Sequence, residues 1–266
     1  MRNSLPQPGQ ARYLLSFDFD GTLHDPASNP AVEPAFFELI ESLRSERGAL
    51  WGINTGRSLF QMVQGFNEGK FPFLPDFVIA REREIFMPAG IGRWQPAKKW
   101  NRKCDRDHRW LFWRSRRLLK EMQRWVKENT EAEWAADKEE PAGVVASSHE
   151  EMDRIVEQIA RQANRHPNLS YERNSIYLRF SHKHYNKGSS LAEVGGMLGV
   201  EAQNRFTIGD GHNDFGMMDL NVAGMLACPS NAAEEIKQVV DKLGGYTASQ
   251  PASRGAIESL EHYFSS

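Results

Sequence analysis

Apolar and polar positions along the chain follow two periodicities, and these alternate in a definite order. An apolar run at Tyr13-Leu14-Leu15 predicts a short buried strand. Positions 34–47 carry Phe36, Phe37, Leu39, Ile40 and Leu43 at helical spacing, and Gly48 follows as glycine does just past a helix. Residues 49–53 predict a second strand, 58–67 a helix and 76–80 a third strand. The pattern resumes near Tyr185, with a helix over 187–198, strands over 205–208 and 222–228, and helices over 232–243 and 256–264. Strand alternating with helix is the signature of a parallel sheet covered on both faces.

Between these halves the order changes. A long helix is predicted over 107–129, with Leu111, Leu118, Met122 and Trp125 on one stripe. Short strands follow over 131–136 and 142–147. Ser148-His149-Glu150-Glu151 is a capping-box pattern opening a helix to about residue 164. Strands over 169–173 and 176–181 then form a hairpin turning at Asn174-Ser175. The expected fold is α/β: a doubly wound, mostly parallel Rossmann-like core sheet interrupted by an inserted α+β domain of order αββαββ. The core is expected from 1–81 and 183–266, and the insert from 82–182.

A chain of 266 residues, 40% hydrophobic and 26% charged, has the length for two domains and the composition of an ordinary globular protein. Its net charge of -2 argues against a chain-wide commitment to nucleic acid or to an anionic membrane. No apolar run approaches the length that spans a bilayer, and residues 1–10 lack the apolar core of a signal peptide. Cys104 and Cys228 make neither a disulfide framework nor a zinc spacing, so a reducing cytoplasm is expected. One segment departs from this even balance. Six of the seven Trp lie between Trp94 and Trp134, and Arg and Lys crowd residues 93–124, ahead of an acidic stretch over 128–153. The plain reading packs Trp110, Trp113 and Trp125 against the insert's sheet and leaves the Arg side chains solvated. Two rivals are a platform for a sugar or other polar phosphoester, and a nucleic-acid surface of interleaved cations and aromatics.

The candidate chemistry begins at Asp18-Phe19-Asp20-Gly21-Thr22, directly after the opening strand. Residues two apart on a strand share a face, so a strand continuing through Asp20 would aim both carboxylates one way. Paired carboxylates repel each other and invite a hard cation such as Mg²⁺, which takes oxygen ligands. Alone, the pair fits a solvated strand-ending turn equally well. Three further polar clusters sit at predicted strand ends or helix starts: Thr55-Gly56-Arg57, Lys187, and Asp210 with Asn213 and Asp214. Singly these read as a turn, a helix-start lysine and a helix-capping acid. Together they occupy the carboxyl ends of the strands, where ligands of open α/β sheets bind.

In that order the clusters resemble the four motifs of the haloacid dehalogenase superfamily of phosphohydrolases. The insert is similar to the type IIB cap of its Cof-type, sucrose-phosphatase-like subfamily. The resemblance implies Asp18 as nucleophile forming an aspartyl-phosphate, Asp20 as acid and base, and Lys187 as the cation balancing transferring charge. It implies that Thr55, the Gly56 amide and Asn213 bind phosphoryl oxygens. It also implies a Mg²⁺ site made by the Asp18 side chain, the Asp20 backbone carbonyl and Asp210, with Asp214 as ligand or support. The implied function is a Mg²⁺-dependent phosphatase acting on a small-molecule phosphomonoester, most naturally a sugar phosphate, without nucleic acid or membrane partners. Alternatives are a phosphotransferase or mutase of the same fold, or a nucleic-acid-binding protein using the basic insert. The segment Arg81-Glu82-Arg83-Glu84-Ile85 departs from the Asn-Gly pair usual near this junction in Cof-type relatives. His212 is expected to be a variable loop residue.

Overall fold

The computed structural model describes residues 9–90, 93–136, 142–163 and 165–265. The polar N-terminal stretch up to residue 8 and the middle of the acidic stretch, 137–141, lie outside the described residues. The first elements are β1 (Tyr13–Phe17), α1 (Pro34–Glu46), β2 (Ala49–Asn54), α2 (Leu59–Glu68), β3 (Phe77–Ala80), β4 (Glu84–Pro88) and β5 (Trp94–Pro96). Next come α3 (Lys98–Asn129), β6 (Glu133–Ala135), β7 (Gly143–Val145), α4 (His149–Ala163), β8 (Leu169–Asn174) and β9 (Tyr177–His182). The chain closes with α5 (Lys187–Leu198), β10 (Arg205–Ile208), β11 (Met225–Cys228), α6 (Glu234–Lys242), β12 (Tyr246–Thr247) and α7 (Ala252–Phe264). These form two compact units, Met1–Asn101 with Lys187–Ser266, and Arg102–Asn186.

In the first unit an eight-stranded sheet runs β12-β11-β10-β1-β2-β3-β4-β5. Every pairing from β12 to β3 is parallel, and β4 and β5 add antiparallel to the edge. Period-two alternation sends Leu15, Phe17, Trp51, Ile53 and Val78 to one face, where Phe36, Ile40, Met62, Phe66 and Leu260 cover them. Leu14, Leu50, Phe77 and Ile79 turn to the other face, against Leu191, Val194 and Leu198 of α5. Burial on both faces is why these strands read as unbroken apolar runs. The doubly wound α/β expectation is therefore met. β1 is central, with β2 on one side and β10 on the other. The loops leaving β1, β2 and β10 therefore converge on the switch point of the sheet.

Several elements differ from their sequence expectation. β1 ends at Phe17, so Asp18 and Asp20 sit beyond the strand instead of continuing it. β4 and β5, whose residues were expected in the insert, join the core sheet. α7 begins before residue 256. α3 begins at Lys98, well before residue 107, because its buried seam runs through Asn101, Cys104, His108, Leu111, Ser115, Leu118 and Met122. Polar residues occupy three of those seam positions, so the first turns carry no apolar periodicity to detect.

The second unit is an antiparallel sheet of order β6-β7-β9-β8. Leu111, Leu118, Met122 and Val126 of α3 and Met152, Ile155 and Ile159 of α4 share a core with Val144, Leu178 and Phe180 of the sheet. Ser148 caps α4 through its hydroxyl, accepting from the Glu151 N–H at 3.1 Å. The Glu151 carboxylate accepts from the backbones of Glu131 and Ser147 at 2.8 Å each, instead of closing the box. The placement of the helix tryptophans needs correction. Trp125 is partly buried in the core, but Trp110 and Trp113 are 56% and 62% exposed. The guanidinium groups of Arg114 and Arg116 lie 4.5 Å and 4.8 Å from their rings. Neither ring shares the helical phase of Leu111, Leu118 and Met122, the stripe that meets the sheet.

Candidate active site

The site grows from the turn after β1. Asp18 leaves the strand with its N–H bonded to the Ile208 carbonyl at 3.0 Å, which ties it to β10. Gly21 turns the chain at φ +81°, a conformation open to glycine. A Cβ there would stand 2.5 Å from Asp210 Oδ2, so the turn also needs glycine for close approach. The Thr22 hydroxyl donates to Asp210 Oδ1 at 2.6 Å and draws the loop after β10 against the loop after β1.

Lys187 stands at the centre. It opens α5, is 0% exposed, and its backbone carbonyl accepts from Asn54 Nδ2 at 2.9 Å. Its Nζ lies 2.7 Å from Asp18 Oδ1 and 2.6 Å from Asp214 Oδ1. Burial opposes charge on this amine, but Asp18, then Asp214 and Glu82, outweigh it and hold Lys187 well above its ordinary range. Asp18, Asp210 and Asp214 bring one carboxylate oxygen each within 4.8 Å of one another. Burial, followed by the charge of Asp214, pushes Asp18 well above its usual value, and Lys187 offsets only part of this. The same two causes push Asp210 up to about 6.

Three acidic groups crowded in this way fit a hard cation, which would relieve the repulsion that raises two of them. Asp214 is committed elsewhere, with Oδ1 on Lys187 and Oδ2 accepting the Gly211 N–H at 2.9 Å. Asp18 and Asp210 could therefore serve as direct ligands of such an ion, with Asp214 in support.

Asp20 takes a different direction. Its carboxylate is held bidentately by Arg57, whose Nε lies at 2.8 Å and Nη2 at 2.5 Å, with the guanidinium 4.7 Å from the Phe19 ring centroid. Arg57 also approaches Glu68 at 3.5 Å. The two carboxylates of the Asp-x-Asp pair thus do not share one face of a strand, as continuation of β1 would require. Thr55 is buried, with its hydroxyl accepting the Arg57 N–H at 3.1 Å. Asn213 is buried, and its Nδ2 donates to Glu82 Oε1 at 2.9 Å. Gly56 borders the same carboxylate, since a Cβ on it would lie 3.4 Å from Glu82 Oε1. His212 is nearly half exposed and 3.8 Å from Glu235, away from the cluster.

The structure thus gathers Asp18, Lys187, Asp210 and Asp214, sets Asn213 and Gly56 around Glu82, and turns Asp20 to Arg57. Sequence reasoning missed the pairing partners Arg57 and Thr22 and the buried Glu82. Arg57 was visible beside Thr55-Gly56, but nothing in the sequence tied it to Asp20.

Residues 114–252 match the haloacid dehalogenase-like hydrolase family, a stretch that includes Lys187, Asp210, Asn213 and Asp214. The chain belongs to this family. Solved structures carry the same fold at low identity. The sucrose-phosphatase of Synechocystis sp. PCC6803, in complex with sucrose and phosphate, matches with a TM-score of 0.72 and 17% identity over 95% of this chain and 98% of that one. A haloacid dehalogenase-like hydrolase protein of Bacillus subtilis matches with a TM-score of 0.64 and 17% identity over 97% of this chain and 94% of that one. A phosphoglycolate phosphatase of Methanospirillum hungatei is 33% identical over 78 residues, 29% of this chain and 31% of that protein. The chain thus spans less than a third of that curated relative. Among the described residues no helix is long and apolar enough to cross a membrane.

Proposed function

We propose that this protein is a Mg²⁺-dependent phosphomonoester hydrolase that works through an aspartyl-phosphate on Asp18 and acts on a small phosphorylated metabolite, a sugar phosphate by preference. Lys187 carries the reading: a fully buried amine 2.7 Å from Asp18 and 2.6 Å from Asp214, beside Asp210. A carboxylate nucleophile and a phosphate repel each other, and a fixed, desolvated cation between them offsets that repulsion where charge develops.

Asp18 attacks phosphorus, and the bond to the leaving oxygen breaks as Asp20 gives that oxygen a proton. Water then attacks the aspartyl-phosphate while Asp20 takes its proton, which regenerates Asp18 and releases inorganic phosphate. Both Asp20 oxygens accept from Arg57 in this structure, so one of these contacts opens when Asp20 gives or takes the proton. Lys187, Thr55, the Gly56 amide and Asn213 hold the phosphoryl oxygens. Asp18, the Asp20 backbone carbonyl and Asp210 would hold Mg²⁺, supported by Asp214. The ion would supply positive charge to the phosphoryl group. The second unit, Arg102–Asn186, is read as the type IIB cap. The sugar-phosphate preference draws on the likeness to a sucrose-phosphatase.

The test is release of inorganic phosphate from a panel of sugar phosphates, phosphoglycolate and nucleotides with Mg²⁺. Activity on at least one class, abolished in Asp18→Asn, is expected. No release from any substrate, with wild type and variant alike, would sink the reading.

A further inference from the structure

The tight turn between β3 and β4 holds a buried acid that the proposed mechanism does not use. The Arg83 N–H bonds to the Ala80 carbonyl at 3.1 Å, and the two central residues, Arg81 and Glu82, have φ of +48° and +63°. Positive φ at both central positions defines the type I′ hairpin turn, which favours Asn-Gly because side chains disfavour that conformation. The chain instead carries Arg-Glu there, and the backbone is fixed in place all the same. The Glu82 N–H donates to the Thr55 carbonyl at 2.8 Å, and the Ser190 hydroxyl donates to the Glu82 carbonyl at 3.1 Å. A strained conformation that neighbours over-determine points to a use for the side chain it displays.

That side chain is 4% exposed and ends among the phosphoryl-binding groups. Glu82 Oε1 accepts from Asn213 Nδ2 at 2.9 Å and borders Gly56, and its charge reaches Lys187. These three residues are among the four assigned above to phosphoryl oxygens. We propose that the Glu82 carboxylate is a built-in occupant of the phosphoryl-binding donors, which a phosphate must displace before it can bind. The inference rests on the phosphatase reading of this site. A carboxylate and a phosphate compete for the same kind of donor, and two anions a few ångströms apart in a buried site repel strongly. The resting site is therefore self-filled. Glu82 sets how weakly inorganic phosphate, the product, is held, and so limits product inhibition.

The test is calorimetric titration of the full chain with inorganic phosphate in excess Mg²⁺, together with the inhibition constant of phosphate in turnover. Glu82→Gln keeps shape and an acceptor for Asn213 but removes the charge, and Glu82→Gly removes the side chain and suits the backbone. Both are expected to bind phosphate at least about tenfold tighter, from loss of the buried like charge. Glu82→Gly is also expected to melt at a higher temperature than wild type, because glycine relieves the left-handed strain. Unchanged or weaker phosphate binding in Glu82→Gln overturns the inference, and leaves Glu82 as an acceptor that merely orients Asn213. That result would not touch the phosphatase reading, which stands or falls on Asp18→Asn. Absence of phosphate binding in wild type and both variants likewise overturns this inference, and the phosphatase reading is then judged by phosphate release and its loss in Asp18→Asn alone.

Discussion

Lys187 shows how much of the site one residue holds together. Its amine is the positive partner of two buried carboxylates, and removing one side of such a contact leaves uncompensated charge in a dry interior. Lys187→Met should destabilise the metal-free protein by about 3–5 kcal/mol in denaturant titration. Mg²⁺ should restore part of that loss. Insensitivity of stability to this substitution would contradict the central place given to the amine. Asp210 gives the site a pH dependence whose sign can be worked out. Its folded pKa, pushed up to about 6, exceeds the ordinary 3.8, so the native state binds this proton more tightly than the unfolded chain does. This contribution to metal-free stability is present at low pH and is lost as pH rises from about 4 to about 6. The melting temperature of the metal-free protein should therefore respond to this group by being lower at pH 7 than at pH 5. Asp210→Asn should flatten the difference.

Among the elements, α3 has two faces with opposite consequences. Leu111 is buried in the core of its unit, so Leu111→Ala should cost about 2–5 kcal/mol, from lost transfer energy and the cavity left behind. Trp113 is a much larger side chain, yet it is mostly exposed and touches Arg116 through its ring. Trp113→Ala should cost less than about 1 kcal/mol, the scale of an exposed cation–π contact. Chemical denaturation of the two variants checks the contrast, and equal losses would mean that the face assignment is wrong. The helix start was illegible in sequence for a related reason. Asn101 and His108 lie on the buried seam and are hydrogen-bonded there: Asn101 exchanges bonds with the Ile85 backbone at 3.0 Å and 3.1 Å, and His108 Nδ1 meets the Cys104 carbonyl at 2.9 Å. Patterning treats such residues as solvent-facing. The strands of the doubly wound sheet were easier, because a strand buried on both faces must be apolar throughout.

For the whole molecule, the proposed ion couples site chemistry to folding. A ligand that binds only the folded state stabilises it by mass action, about 2.7 kcal/mol when present at a hundred times its dissociation constant. Mg²⁺ should therefore raise the melting temperature of the full chain in a concentration-dependent way, and a chelator should reverse this. The gain should be larger at pH 7 than at pH 5, where Asp210 is largely protonated and a poorer ligand. An equal gain at both values would argue against Asp210 as a ligand. The sequence by itself determined the parallel core, the inserted helix-strand order and the residues Asp18, Thr55, Lys187, Asp210 and Asn213 at strand ends or helix starts. These follow from periodicity and from where open α/β sheets expose their loops, and both are local properties of the chain. Tertiary structure alone decided which of those residues touch. It divided Asp18 from Asp20 by ending β1 early, gave Asp20 to Arg57, committed Asp214 to Lys187, and brought Glu82 to Asn213 from far along the chain. Such pairings depend on distances between residues remote in sequence. No periodicity encodes them, and only the packed sheet and the turns at its edge fix them.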